Sequence, residues 1–104
     1  LKENTKGQDS AEAIFEALFE GMSFYELKQI LSSKVKTREE AFALLDGLER
    51  IYEKLLTWED PRRKIYGKDE IFKAIELIEA ARRDLHAKVN YQYALKNLIL
   101  KIGG

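Results

Sequence analysis

Cysteine is absent from the 104-residue chain, histidine occurs once, as His86, and proline once, as Pro61. Without thiols and with a single imidazole, four-ligand zinc sites, Cys-held iron–sulfur clusters and thiol catalysis are excluded, and a Ser-His-Asp triad survives only if it is built on His86. The lack of disulfides is compatible with the cytosol, where the protein is expected. No apolar run approaches the roughly 18 residues of a membrane span, and no basic-then-apolar leader opens the sequence, so a soluble protein with no membrane partner is expected. Phosphate-cradling loops are missing too. Neither GxxxxGK[ST] nor GxGxxG occurs, and every glycine except Gly47 falls where a helix end or loop is expected, so no cofactor is implied.

What the chain does contain is helix-forming. Leu, Ala, Glu, Lys and Arg dominate, and β-branched residues other than Ile are few. A chain of this length buries about 65% of the surface its unfolded form exposes, enough for one core without metal or disulfides. Apolar positions recur at spacings of three and four, which predicts an all-α fold, a five-helix antiparallel bundle.

Residues 1–8 (LKENTKGQ) show no apolar period and read as a linker or frayed lead-in, leaving 9–104 as the domain. Asp9 or Ser10 is expected to cap a first helix with Ala11, Ile14, Phe15, Leu18 and Phe19 inward, ending at Gly21. Ser23-Phe24-Tyr25-Glu26 has the capping-box pattern and opens a short second helix to about Ser32, with Phe24, Leu27, Ile30 and Leu31 inward. Thr37-Arg38-Glu39-Glu40 repeats that pattern ahead of the longest helix, whose stripe is Ala41, Leu44, Leu45, Leu48, Ile51, Tyr52, Leu55 and Leu56. Segment 58–68 (WEDPRRKIYGK) is the longest connection. Asp69 is expected to cap a fourth helix with Phe72, Ile75, Ile78, Ala81 or Arg82, and Leu85 inward, breaking near Lys88 or Val89. Asn90 then caps a fifth, with Tyr91, Ala94, Leu95, Leu98, Ile99 and Ile102 on one face.

These stripes leave few ionisable groups for a buried, convergent catalytic site. His86 follows Leu85 at the end of the fourth helix, where an imidazolium complements the helix dipole, and that structural role outweighs a catalytic one. No inward Glu-x-x-His pair suits a di-metal bundle. Charge is unevenly spread: residues 1–60 hold 8 basic and 13 acidic groups, and 61–104 hold 10 and 5, so the net of zero divides into −5 and +5. Arg62, Arg63, Lys64 and Lys68, beside Trp58, Ile65 and Tyr66, form the best candidate for nucleic-acid contact, since guanidinium and ammonium groups meet phosphates and aromatic rings stack on bases. Arg82, Arg83 and Lys88 are candidates to extend that face. Zero net charge is unlike the footprint of a dedicated DNA-binding domain, and the acidic start of the third helix argues against a helix-turn-helix. Trp58, Tyr66, Tyr91 and Tyr93 are the large aromatics least accounted for by the stripes and are candidate partner contacts.

The segment 78–102 (IEAARRDLHAKVNYQYALKNLILKI) resembles the C-terminal end of bacterial DNA polymerase III clamp-loader subunits, above all the delta-prime type. There, an Asn-centred break leads into a final helix of the form N-x-x-x-A-L-x-x-L-L-L. Here the motif residues are Asn90, Ala94, Leu95, Leu98, Ile99 and Leu100. Leu100 lies off the inward stripe, the position an oligomeric contact uses. The upstream order of short, short, long, long and medium helices is compatible with the family's collar domain. The resemblance implies an oligomerisation module excised from a longer AAA+ chain and joined to other clamp-loader subunits through their C-terminal domains. It implies a non-catalytic part in DNA replication, with ATP, DNA and sliding-clamp contacts belonging mainly to other parts of the parent.

Overall fold

A computed structural model describes residues 2–57 and 67–103 of the chain, with the side chains of 9–56 and 67–102. Five α-helices account for nearly all of them: α1 (Lys2–Phe19), α2 (Phe24–Lys34), α3 (Arg38–Thr57), α4 (Lys68–His86) and α5 (Tyr91–Gly103). Among the described residues there is no strand.

The helix ends follow from local hydrogen-bond chemistry. At α2, Glu26 N–H donates to Ser23 Oγ (3.3 Å) while Ser23 N–H donates to Glu26 Oε1 (3.4 Å), the reciprocal pair of a capping box. The start of α3 uses the same residue types differently. Thr37 Oγ1 accepts from Glu40 N–H at 3.0 Å, but the Glu40 carboxylate reaches one residue further back, to Lys36 N–H at 2.7 Å. Asn90 Oδ1 accepts from the N–H groups of Gln92 (2.9 Å) and Tyr93 (3.3 Å), satisfying two donors at the start of α5 that have no partner within the helix.

Two helices end in the same way. After α1, Gly21 adopts φ 77° and the N–H groups of Gly21 and Met22 return to the carbonyls of Leu18 (3.1 Å) and Ala17 (3.0 Å). After α4, Lys88 adopts φ 66° and the N–H groups of Lys88 and Val89 return to Leu85 (3.1 Å) and Asp84 (2.9 Å). Both are Schellman motifs, in which the left-handed residue turns the chain back over its own last turn. Glycine takes that conformation without steric cost, whereas lysine does not.

Three expected boundaries are corrected. Helix α1 begins at Lys2, so Asp9 and Ser10 lie within it instead of capping it, and residues 2–8 are helical backbone. Helix α2 runs on to Lys34. The N-cap of α4 is Gly67, whose N–H donates to Glu70 Oε1 at 3.1 Å, and Asp69 falls in the first turn, where its charge opposes the positive end of the dipole.

Packing closes the helices into a circuit. α1 lies against α3, α3 against α4, α4 against α5, α5 against α2 and α2 against α1, with a smaller contact between α3 and α5 across the middle. The longest stripe belongs to α3, which packs on α1, α4 and α5: Ala41, Leu44, Leu45, Leu48, Ile51, Tyr52 and Leu55 are all buried, and Gly47 is buried beside them. Phe15 of α1 meets Tyr52 edge-on, with ring centroids 5.4 Å apart and planes at 81°. His86, at the end of α4, touches Phe42, near the start of α3, which makes that pair antiparallel. Each large apolar side chain buried here contributes about 1.5–3 kcal/mol relative to exposure, so the circuit is held by its interior.

The expected face of α4 is also corrected. Its buried residues are Ile71, Ala74, Ile78, Ala81 and Leu85, while Ile75 is half-buried and Phe72, assigned to the interior, is 54% exposed. Phe24, likewise expected inside, lies at the surface, with Lys28 Nζ 5.7 Å from its ring centroid.

Candidate interaction surface

Helix α5 is built from its N-cap outward. Asn90 fixes where the helix starts, and so fixes which residues turn inward: Ala94, Leu95, Leu98 and Ile99 are buried, and Tyr91 and Ile102 are half-buried against the same core. The opposite face holds Tyr93, 64% exposed, and Leu100, 54% exposed. These two stand seven residues apart, two helical turns, and therefore share one line along the helix. Of the two α5 tyrosines, only Tyr93 is exposed. Tyr91 belongs to the packing.

Below α5, its N-terminal half meets the end of α2 in a narrow crevice lined by Leu31, Ser32, Val35, Tyr91, Gln92 and Lys96. Ser32 also borders the outer surface of α2, where Tyr25, Lys28, Gln29 and Ser33 line a shallow groove. Together with Met22 and Phe24, the exposed Tyr25 makes a second apolar area at the α1–α2 turn. The sequence pattern had a signal for it, because Tyr25 stands off the Leu27–Leu31 stripe, as Leu100 stands off that of α5.

The candidate nucleic-acid face divides. Trp58, Arg62, Arg63, Lys64 and Tyr66 lie outside the described residues, whereas Lys68 is the exposed first residue of α4. Arg82 does not extend that face. Its Nη2 donates to Glu49 Oε1 at 2.6 Å and to Asp46 Oδ1 at 2.8 Å, bridging α4 to α3. Burial works against the charged guanidinium, yet the hydrogen bond and charge of Glu49, then the charge and hydrogen bond of Asp46, more than compensate, and the Arg82 pKa is raised. Arg83 and Lys88 are exposed.

His86 is the exposed last residue of α4, its ring centroid 4.9 Å from that of Phe42 at an interplanar angle of 50°. The Arg38 guanidinium carbon lies 5.9 Å from the centroid of the same Phe42 ring. Phe42 thus carries a cation and an imidazole, an arrangement that ties the α3 start to the α4 end. Among the described residues, no group of three or more His, Asp or Glu side chains could hold a metal ion, and no helix is long and apolar enough to cross a membrane. A cleft of about 220 Å³ at the far end of α4 is walled by Tyr52, Glu70, Lys73, Leu77, Lys101 and Ile102. Glu70 there is committed to the cap of α4.

Comparison with family models, with curated proteins and with solved structures finds no match to this chain. The arrangement of exposed groups therefore carries the functional reading: large apolar side chains stand on the outer faces of helices whose inner faces are fully used.

Proposed function

We propose that this chain is the collar-type oligomerisation domain of a bacterial replicative clamp-loader subunit of the delta-prime kind. The reading rests on one observation above all. Helix α5 opens on the Asn90 cap, turns Ala94, Leu95, Leu98 and Ile99 of the motif inward, and leaves the motif's Leu100 exposed in line with Tyr93. A helix already docked by one face has no internal use for a leucine on the other, and association with a sibling domain supplies one.

The mechanism is placement, not catalysis. Domains joined side by side hold the attached ATPase modules at high effective concentration, so that weak nucleotide-dependent contacts between those modules become intramolecular. A rigid, fully packed circuit of helices suits this task, since positions set at the domain interface pass to the modules only through a body that does not deform.

The test is association. The chain is mixed with the C-terminal domains of the other clamp-loader subunits and followed by sedimentation velocity. Assembly at micromolar concentration supports the reading. No assembly, with each domain folded, removes it.

A further inference from the structure

The outward side of α2 and the flank of α5 beside it form one surface without acids. From Leu27 to Arg38 the chain holds four basic residues and no carboxylate, and from Leu85 to Gly104 three lysines and no carboxylate. Helices α2 and α5 pack together, so the two stretches adjoin. The shallow groove on α2, lined by Tyr25, Lys28, Gln29, Ser32 and Ser33, meets the crevice bordered by Gln92 and Lys96 at Ser32, which lines both. Spacings of three and four along α2, and of four between Gln92 and Lys96, put each set on one side of its helix. Lys28 and Lys96 are half-buried, so their stems hold both ammonium groups at the groove, and Lys28 Nζ lies 5.7 Å from the Phe24 ring centroid. Among the described residues these two lysines form no ion pair, and the side chains of Gln29, Ser32 and Gln92 have no hydrogen-bond partner. Glu26, the one acid of α2, is engaged in the capping box with Ser23.

We propose that this groove receives a short, extended, acidic peptide segment of a partner protein, with one apolar residue of that segment on the exposed Tyr25 ring. The inference goes beyond the oligomerisation reading and stands without it. Carboxylates of the segment meet Lys28 and Lys96, while Gln29, Ser32 and Gln92 supply donors and acceptors to its backbone. No aliphatic side chain lines the groove on α2, so an amphipathic helix finds no apolar floor there. A long polyanion such as a nucleic acid fits less well, because the neighbouring α1 exposes Asp9, Glu12, Glu16 and Glu20 and the chain as a whole has no net charge. A short segment confined to the groove avoids those acids. From Tyr25 to Ser32 the groove runs about 10 Å at 1.5 Å per residue, and crossing to α5 adds about 8–10 Å, a span that about six extended residues cover. So small a contact, carried by two cations, is weak and sensitive to salt.

The test is fluorescence anisotropy, with the whole 104-residue chain titrated to about 1 mM. The probe is a fluorescein-labelled peptide of about eight residues, one Phe followed by Asp, Glu and Gly. Its comparisons are the same peptide with Asn and Gln in place of the acids, and a single-stranded oligodeoxynucleotide of equal charge. The acidic peptide is expected to bind about tenfold or more tighter than either, and to lose about tenfold between about 0.05 M and about 0.5 M salt. Lys28→Gln combined with Lys96→Gln is expected to weaken it about fivefold or more, and Tyr25→Ala about threefold, with urea midpoints little changed. Amide shifts of the unaltered chain are expected to move at Gln29, Ser32, Ser33 and Gln92 on adding the peptide, and this mapping decides the case if a variant fails to fold. No binding at about 1 mM overturns the proposal, as do equal binding of the neutral peptide, binding that the double lysine variant retains, and shifts centred elsewhere. Tighter binding of the oligonucleotide assigns the groove to nucleic acid and also overturns it. Association with clamp-loader domains is read separately by sedimentation, so the failure of one reading leaves the other standing.

Discussion

Arg82 of α4 lies 2.6 Å from Glu49 of α3, and the same nitrogen lies 2.8 Å from Asp46 one helical turn earlier. The two carboxylates are not equivalent. Glu49 is 18% exposed at the side chain and Asp46 55%, so Glu49 is the better shielded from solvent. A double-mutant cycle between Arg82 and Glu49 is expected to give a coupling of about 1 kcal/mol, and the cycle between Arg82 and Asp46 less than half of that, measured by urea unfolding. The sign of the pH effect follows from the raised Arg82 pKa. Its contribution is present below the unfolded-state value and is lost as pH climbs through the still higher folded value, so it does not vary across neutral pH.

Lys88 and Gly21 hold the same position in the same motif and predict opposite responses. Lys88 carries a Cβ in the left-handed region at φ 66°, and Lys88→Gly is expected to stabilise the domain by about 0.5–1 kcal/mol, a rise in Tm of about 2–8 °C. Gly21, at φ 77°, has nothing within 4 Å of an added Cβ, so Gly21→Ala meets no steric contact and its cost is that of the backbone alone. About 1 kcal/mol of destabilisation is expected, read by thermal unfolding.

At the start of α5, Asn90 serves two N–H groups with one oxygen. Asn90→Ala is expected to cost about 1 kcal/mol, with faster amide exchange at Gln92 and Tyr93, and Asn90→Asp to cost little because the carboxylate accepts the same bonds and favours the positive end of the dipole. Faster exchange confined to other helices would count against a capping role.

Phe15 predicts where the fold is most sensitive. It is fully buried and touches both Phe19, at 6.4 Å between centroids, and Tyr52, at 5.4 Å. Phe15→Ala removes both contacts and leaves a cavity between α1 and α3, for an expected loss of about 3–5 kcal/mol. Total stability for a domain of this size is about 5–15 kcal/mol, so the variant should be marginally folded, as judged by near-ultraviolet circular dichroism and its urea midpoint.

Those contrasts explain what a linear reading can and cannot resolve. Caps are local chemistry, so the Ser23–Glu26 box and the Asn90 cap were legible from residue types three positions apart. The stripes of α3 and α5 were legible because almost every large apolar residue obeys one period. In α4 two registers compete: Phe72 and Ile75 have the same spacing as Ile71 and Ala74, and the larger side chains favour the wrong one. Tertiary packing decides it: Ile71, Ala74, Ile78, Ala81 and Leu85 are the residues the neighbouring helices cover, and Phe72 is left at the surface. Nor could the sequence pair Arg82 with Glu49, 33 residues away. Residues 2–8 extend α1 with no apolar face to announce it. At the candidate surface, Leu100 was visible as a residue off its stripe. Tyr91 was legible as part of that stripe, and Tyr93, which stands off it, is the one of the two that the structure exposes.

The two faces of α5 give the sharpest separation of stability from association. Leu98 is buried, so Leu98→Glu places an unpaired carboxylate in the core and is expected to unfold the domain. Leu100→Gln and Tyr93→Ala change side chains that are more than half exposed, and each is expected to leave stability within about 0.5 kcal/mol. If α5 is an interface, those same two substitutions abolish or strongly weaken association with sibling domains, because exposed apolar anchors at the centre of a small contact carry most of its binding energy. The pairing of readouts is what makes the result decisive: unchanged urea midpoints with lost association assign the outer face of α5 to a partner, whereas unchanged midpoints with unchanged association return Tyr93 and Leu100 to the ordinary apolar fraction that every protein surface shows.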